Sequence, residues 1–278
     1  MWRCATLKKW LLLSSILLIV VKMDLRKRLM PLSEGSETFE LNLSVDCVIF
    51  TIQKGALKVL LTKLAPELMW MLPGGFMTRN ENANQAASRI LQFRTGVDNV
   101  YLNQFQIFSE LDRFSFETIV RELPLSDQEL AHFSDLPQRV ISIGYFALVN
   151  FESIHLSGGD LKEESYWCDV HQLPSLEFDH KHIIQEALIA LRKEVYFKPI
   201  VYRLLPEKFT LPELQKLYEV ILDKKLDRGS FQRKMLRWDI FERLEERRNG
   251  VPHKRPYLYR FSDQKYHLAI EQGTNFGM

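Results

Sequence analysis

The residues in this chain best suited to chemistry are cations. Between Lys224 and Arg260 stand about a dozen Lys and Arg against five acids, Asp227, Asp239, Glu242, Glu245 and Glu246, while the whole chain carries a formal net charge of only +2. A local excess of this kind is an electrostatic footprint for a phosphate backbone. Within it, Arg228, Ser230, Arg233, Lys234 and Arg237 share one short stretch, with Lys254 and Arg255 downstream. An Arg can grip a guanine edge or a phosphate through two parallel N–H bonds. Arg233 and Arg237 are therefore assigned to bases, and Arg228, Lys254 and Arg255 to phosphates. A second candidate is the adjacent pair Asp112 and Arg113 at a strand end, which either holds a ligand's hydroxyls or phosphate or pairs with itself. His180 and His182 flank a lysine with no further partner at metal-ligand spacing, so they read as a helix cap and a surface residue. Cys4, Cys47 and Cys168 are scattered without disulfide or metal spacing, the usage of a reducing compartment.

Those groups need elements to hold them. Asp227 precedes RGSFQRKMLRW as a cap. At 100° per residue Phe231, Met235 and Trp238 then cluster on one side, with Ser230, Arg233, Lys234 and Arg237 on the other. Upstream lie a short helix over 200–205 and LPELQKLYEVILDKKL, capped by Thr210 with Pro212 and Glu213 in its first turn. Leu211, Leu214, Leu217, Tyr218 and Ile221 share its apolar face. Downstream, IFERLEE and PYLYRF read as strands around an Asn249–Gly250 turn. Helices followed by a hairpin are the order of a winged helix-turn-helix, which offers a helix to the major groove and a hairpin tip to the flanking backbone. The alternative is a solvated basic face on an interaction domain. Before the break at Lys198 and Pro199 the pattern changes. LSVDCVIFTI and ALKVLLTKL read as strands joined at 53–55, and residues 84–93 as a helix with Ala86, Ala87, Ile90, Leu91 and Phe93 on its apolar side. A strand over 100–111 leads to Asp112 and Arg113, and 114–138 reads as an insertion with one short helix near Ser126. A buried strand occupies 139–151, and Asp179 is placed to cap a helix over 180–193.

Residues 71–97, MLPGGFMTRNENANQAASRILQFRTGV, carry Gly75, Glu81, Arg89, Leu91, Gly96 and Val97 at the spacing G-x5-E-x7-R-E-U-x-E-E-x-G-U, with U apolar. The stretch resembles a Nudix box. In Nudix hydrolases the glutamates of this segment converge from a helix on Mg²⁺ beside a diphosphate, and so hard a cation demands oxygen ligands. Here their positions hold Ile90, Phe93 and Arg94. The resemblance thus implies a Nudix-type α/β/α sandwich without hydrolytic chemistry: no catalytic residue, no metal and no cofactor. A degenerate Nudix domain followed by a winged helix resembles the Nudix-related transcriptional regulators, the NrtR-like group that includes AraR-type sugar regulators. The likeness is carried by GGF…E…R at the box, LDR at 111–113, RVISIGYFALV at 139–149, and KFTLPELQKLYEVIL with LDRGSFQRKML across 208–236. It implies a homodimer that binds operator DNA under the control of a small molecule in the Nudix cleft, ADP-ribose in some relatives and a sugar such as arabinose in others. Phe76, Glu81, Asp112 and Arg113 are the candidate effector-binding residues. Loss of the acidic cluster favours a sugar or another uncharged effector. The runner-up is a Nudix hydrolase of nucleoside diphosphate derivatives such as ADP-ribose with a relocated metal site, and the third reading is a scaffold that binds only protein.

A chain of 278 residues, 46% hydrophobic and 26% charged, fits a soluble globular protein of one large or two ordinary domains. The boundaries expected are an N-terminal extension over 1–38, a Nudix-like domain over 39–196, a winged helix over 197–264 and a tail over 265–278. WLLLSSILLIVV, starting at Trp10, is shorter than the ~20 residues that span a bilayer, and no small-residue cleavage site follows it. Translation from Met23 or Met30, a cytoplasmic location and no membrane partner are the expectations.

Overall fold

The computed structural model describes residues 42–63, 69–96, 100–113, 139–153, 164–248, 255–274 and 276–277. The leading apolar segment, Val97, the 114–138 insertion, the Gly158–Gly159 turn, and the 249–254 turn with Lys254 lie outside these residues. The described residues form two compact units, one within 42–49, 59–147 and 164–187, the other within 50–58, 148–153 and 188–277.

Strand β1 (Asn42–Gln53) turns through Lys54 and Gly55, at φ of 50° and 77°, into β2 (Ala56–Lys63). Positive φ at both turn positions matches the twist of the flanking strands. β3 (Gly74–Phe76) pairs antiparallel with β1, setting Asp46 opposite Gly74. β4 (Leu102–Phe108) pairs antiparallel with β5 (Val140–Leu148), and with β6 (Glu164–Asp169) the sheet runs β4-β5-β1-β2-β6, β3 lying against β1. Central β1 is buried without a break from Ser44 to Thr51, as its near-continuous apolar run implies for a strand covered on both faces. A Cβ on Gly74 would stand 2.6 Å from Asp46 Oδ1, so only glycine allows this carboxylate so near the turn.

Helix α1 (Ala83–Thr95) starts at Asn82, whose side chain exchanges hydrogen bonds with Gln85 in a capping box, and ends at Gly96, with φ 68° and its N–H on the Gln92 carbonyl. Ala86, Ala87, Ile90, Leu91 and Thr95 are buried. Phe93 is not; it is 50% exposed. Its place on the apolar side is thus corrected, because the buried arc is centred between Ala87 and Ile90, and Phe93 lies roughly 110° from that centre. Helix α2 (His180–Phe197) extends a turn beyond the expected end.

The second unit contains a 3₁₀ turn (Ile200–Leu204), α3 (Leu211–Leu222), α4 (Arg228–Arg237), β7 (Phe241–Arg247) and β8 (Tyr257–Phe261). Thr210 and Glu213 form the capping box of α3, and the Asp227 carboxylate accepts from the Ser230 N–H to start α4. Phe209 bridges to Tyr259, adding a short third rung to the hairpin. Tyr218 and Phe231 meet edge to face at 5.4 Å in a core shared with Leu214, Ile221, Met235 and Trp238. A further helix, α5 (Asp263–Glu271), capped by Ser262, stands where the sequence shows only a tail.

Candidate functional site

At the box, Arg89 clamps Glu81 with two hydrogen bonds, Nη2 to Oε1 at 2.6 Å and Nε to Oε2 at 3.0 Å. Arg89 Nη2 also donates to the Phe76 carbonyl at 3.1 Å, and the Thr78 N–H donates to Glu81 Oε1 at 2.7 Å. The bonds from Arg89, chiefly, hold the Glu81 carboxyl down at about 2. Phe76 and Glu81 therefore serve to brace the loop before α1. Of the three glutamate positions, Ile90 is 4% exposed and sits under Gly75, Phe93 faces solvent, and Arg94 lies with its guanidinium 5.1 Å over the Phe93 ring. Two apolar side chains and a cation do not fit Mg²⁺. Among the described residues no group of three His, Cys, Asp or Glu could hold a metal.

Asp112 and Arg113 do come to a cleft. It encloses about 470 Å³ and is lined by Met69, Glu110, Asp112, Arg113, Leu176, Glu177, Phe178, Asp179 and His182. Arg113 is not spent on its neighbour Asp112. Its Nε and Nη2 each reach Asp179 at 2.9 Å, and Nη2 stands 3.4 Å from Asp46 Oδ2, which also accepts from Ser142 Oγ at 2.5 Å. Asp179 thus turns its carboxylate to Arg113, whereas its sequence position suggested a helix cap. The cap reading of His180 is likewise corrected: 5% exposed, its ring accepts the Leu72 N–H on Nδ1 at 3.0 Å and sets Nε2 3.7 Å from Asp46 Oδ1. An imidazole that accepts on Nδ1 is neutral with its proton on Nε2, and burial lowers its pKa despite Asp46. His182 is exposed, lines the cleft and meets Phe108 edge to face at 5.9 Å. Phe178, edge to face with His180 at 5.3 Å, holds φ at 52°, costly for a bulky side chain. It is fixed from both sides, by the Glu177 N–H on the Trp70 carbonyl and by the Asp179–Arg113 fork. Carboxylates that accept hydroxyls beside an aromatic wall suit a polyhydroxylated ring.

The basic face is as the periodicity implies. Phe231, Met235 and Trp238 are buried, while Arg228, Ser230, Arg233 and Arg237 are exposed and Lys234 is half-buried. The structure sorts the cations. Arg248 pairs with Glu213, Arg260 with Glu242, Lys208 with Glu246, Lys225 with Glu219 and Lys265 with Asp239. Arg228, Arg233, Lys234 and Arg237 of α4 have no ion pair among the described residues. Neither do Arg243 and Arg247, whose guanidinia stack on the Tyr257 ring at 4.7 and 4.1 Å. Arg255 is exposed at the turn end of the hairpin.

Residues 40–187 match the family model of the NUDIX domain, and residues 201–261 that of the NrtR DNA-binding winged helix domain. The chain is 30% identical over 232 residues to the ADPR responsive transcriptional repressor NtrR of Acinetobacter baylyi, covering 81% of this chain and 83% of that protein. It belongs to the Nudix-related, NrtR-like regulators. Among solved structures, Shewanella oneidensis NrtR complexed with a 27mer DNA is 26% identical with a TM-score of 0.63, covering 81% of this chain and 95% of that one. A MutT/nudix family protein from Enterococcus faecalis, 23% identical over 87% of this chain and 93% of its own with a TM-score of 0.57, shares the fold.

For an NrtR-like protein, the residues that sequence reasoning missed fall in two places. Phe178 and Asp179 line the cleft while Asp46 and Ser142 form a buried network behind Arg113, and Asp46 alone left a signal, as a lone carboxylate within the apolar run LSVDCVIF that requires buried partners. Arg243, Arg247 and Tyr257 form the other group. Their spacing looked like ordinary strand alternation, and only the bulge between Arg243 and Arg247 brings both cations to one ring.

Proposed function

We propose that this protein is a ligand-responsive transcriptional repressor that binds operator DNA as a homodimer and senses an ADP-ribose-class metabolite in its Nudix unit. The observation that carries the reading is α4, four cations in no ion pair among the described residues, set against a buried Phe231–Met235–Trp238 side. A folded domain that needed charge only for solubility gains nothing from segregating its ion pairs away from one helix. The name of the Acinetobacter relative supports ADP-ribose over the free sugar favoured by the missing acidic cluster. Asp112, Glu110, Phe178 and His182 supply acceptors and an aromatic wall for its ribosyl part, so that binding needs no cation at the box. Ile90, Phe93 and Arg94 leave Mg²⁺-assisted hydrolysis without its ligands.

Fluorescence anisotropy with an operator selected by the protein itself tests the reading. Arg233→Ala and Arg237→Ala each weaken binding by about 1–3 kcal/mol per protomer, the value of a bidentate base contact. ADP-ribose without added metal shifts the affinity of the unsubstituted protein. Unchanged affinity in both variants removes α4 as the reading helix, and turnover of ADP-ribose with Mg²⁺ removes the sensor assignment.

A further inference from the structure

The outward stripe of α4 holds two residues that its charges do not explain. Leu236 is 48% exposed among arginines, and Gly229 occupies the second position of the helix. Nothing in the fold requires that glycine. An added Cβ would meet only Arg233 Nη1 and Asp227 Oδ1, both at the ordinary contact distance of 3.7 Å, and glycine weakens a helix relative to alanine. Gly229, Arg233 and Leu236 stand at i, i+4 and i+7, one line on the side away from Phe231 and Met235. Arg233 leans back toward the first turn, its Nη2 on Ser230 Oγ at 3.2 Å.

The major groove offers guanine acceptors to an arginine and the thymine C5-methyl to an apolar side chain. We propose that α4 lies in the groove along Gly229, Arg233 and Leu236, with Gly229 admitting the DNA close to the first turn and Leu236 packing on a thymine methyl. The assignment rests on the DNA-binding reading above. Leu236 is ~4.5 Å along the helix axis from Arg233, so the thymine lies within about one or two base steps of the base that Arg233 reads, at 3.4 Å per step.

The operator is first selected by the full chain from random-sequence DNA, and each thymine is then replaced singly by deoxyuridine, which lacks only the methyl. One replacement weakens the unsubstituted protein roughly fourfold, the ratio that corresponds to about 0.8 kcal/mol for one buried methyl-sized group. Leu236→Ala, which removes the contact from both protomers of the dimer, binds the thymine operator weaker by about the square of that factor, roughly 16-fold, and ignores that replacement, with its melting temperature unchanged. Gly229→Ala raises the melting temperature yet lowers the affinity, opposite signs that a purely structural role does not give. A flat deoxyuridine scan, or a penalty that persists in Leu236→Ala, overturns the assignment. A chain that selects no sequence overturns the DNA-binding reading instead.

Discussion

Arg113 delivers two N–H bonds to Asp179 and stands within 3.4 Å of Asp46, with only 4% of its side chain exposed. A guanidinium so enclosed survives because its carboxylates are enclosed with it, and the three stand or fall together. Replacing the cation alone leaves buried Asp46 and half-buried Asp179 without their counter-charge. Arg113→Met is expected to cost about 3–5 kcal/mol, the usual penalty for stripping one partner from a buried pair, read as a drop in the denaturation midpoint. Arg113→Met combined with Asp179→Leu recovers part of that loss, since the second change removes an orphaned charge. The sequence singled out Arg113 as a site residue but left its partner open between a ligand and Asp112. Neither local option was the one adopted. Its carboxylates come from β1 and from the turn before α2, 67 and 66 positions away, and one-dimensional spacing carries no record of such a meeting.

The same contrast holds between elements. Caps and periodicity are local chemistry, and they placed α4 and the box helix α1 within a residue or two of their observed limits and α3 at its observed first residue, although α3 stops at Leu222, four residues before the expected end: Thr210, Asp227 and Gly96 do what their types imply. Helix α5 was missed because its period is weak, with only Ala269 buried. The link between the β3 loop and α1 is a strap that sequence spacing did show, since Glu81 and Arg89 stand eight apart in the box and meet at 2.6 Å. Its pH behaviour follows from the depressed Glu81 carboxyl. The ordinary value is 4.5 and the folded one about 2, so the strap stabilises fully above about 4.5 and its contribution is lost as the pH falls toward about 2. Glu81→Gln, which keeps the shape but not the charge, is expected to melt below the unsubstituted protein at neutral pH. The gap between the two melting curves narrows as acid is added through that window. A gap independent of pH shows that the loop is held by its backbone bonds and not by the ion pair.

For the whole molecule the distribution of charge matters more than its sum. A net charge of +2 gives no lasting pull on a polyanion, yet among its described residues the winged-helix unit concentrates cations outside any ion pair on α4 and on the Tyr257 stack, and sets ion pairs at Glu213, Glu242 and Glu246. Counter-ions condensed on DNA are released only by cations that reach phosphates, each changing the slope of log affinity against log salt by about 0.9. A cation already neutralised by its own carboxylate releases none. Arg228→Gln and Arg243→Gln are therefore each expected to flatten that slope by roughly 1 per protomer bound. The double change Arg260→Gln with Glu242→Gln removes one cation and one anion 2.7 Å apart and leaves the slope where it was. Titrations of a selected operator across a several-fold range of salt distinguish the two outcomes. If the double variant flattens the slope as much as Arg228→Gln does, the whole basic surface acts as a diffuse cloud, and the division between paired and free cations carries no weight in binding.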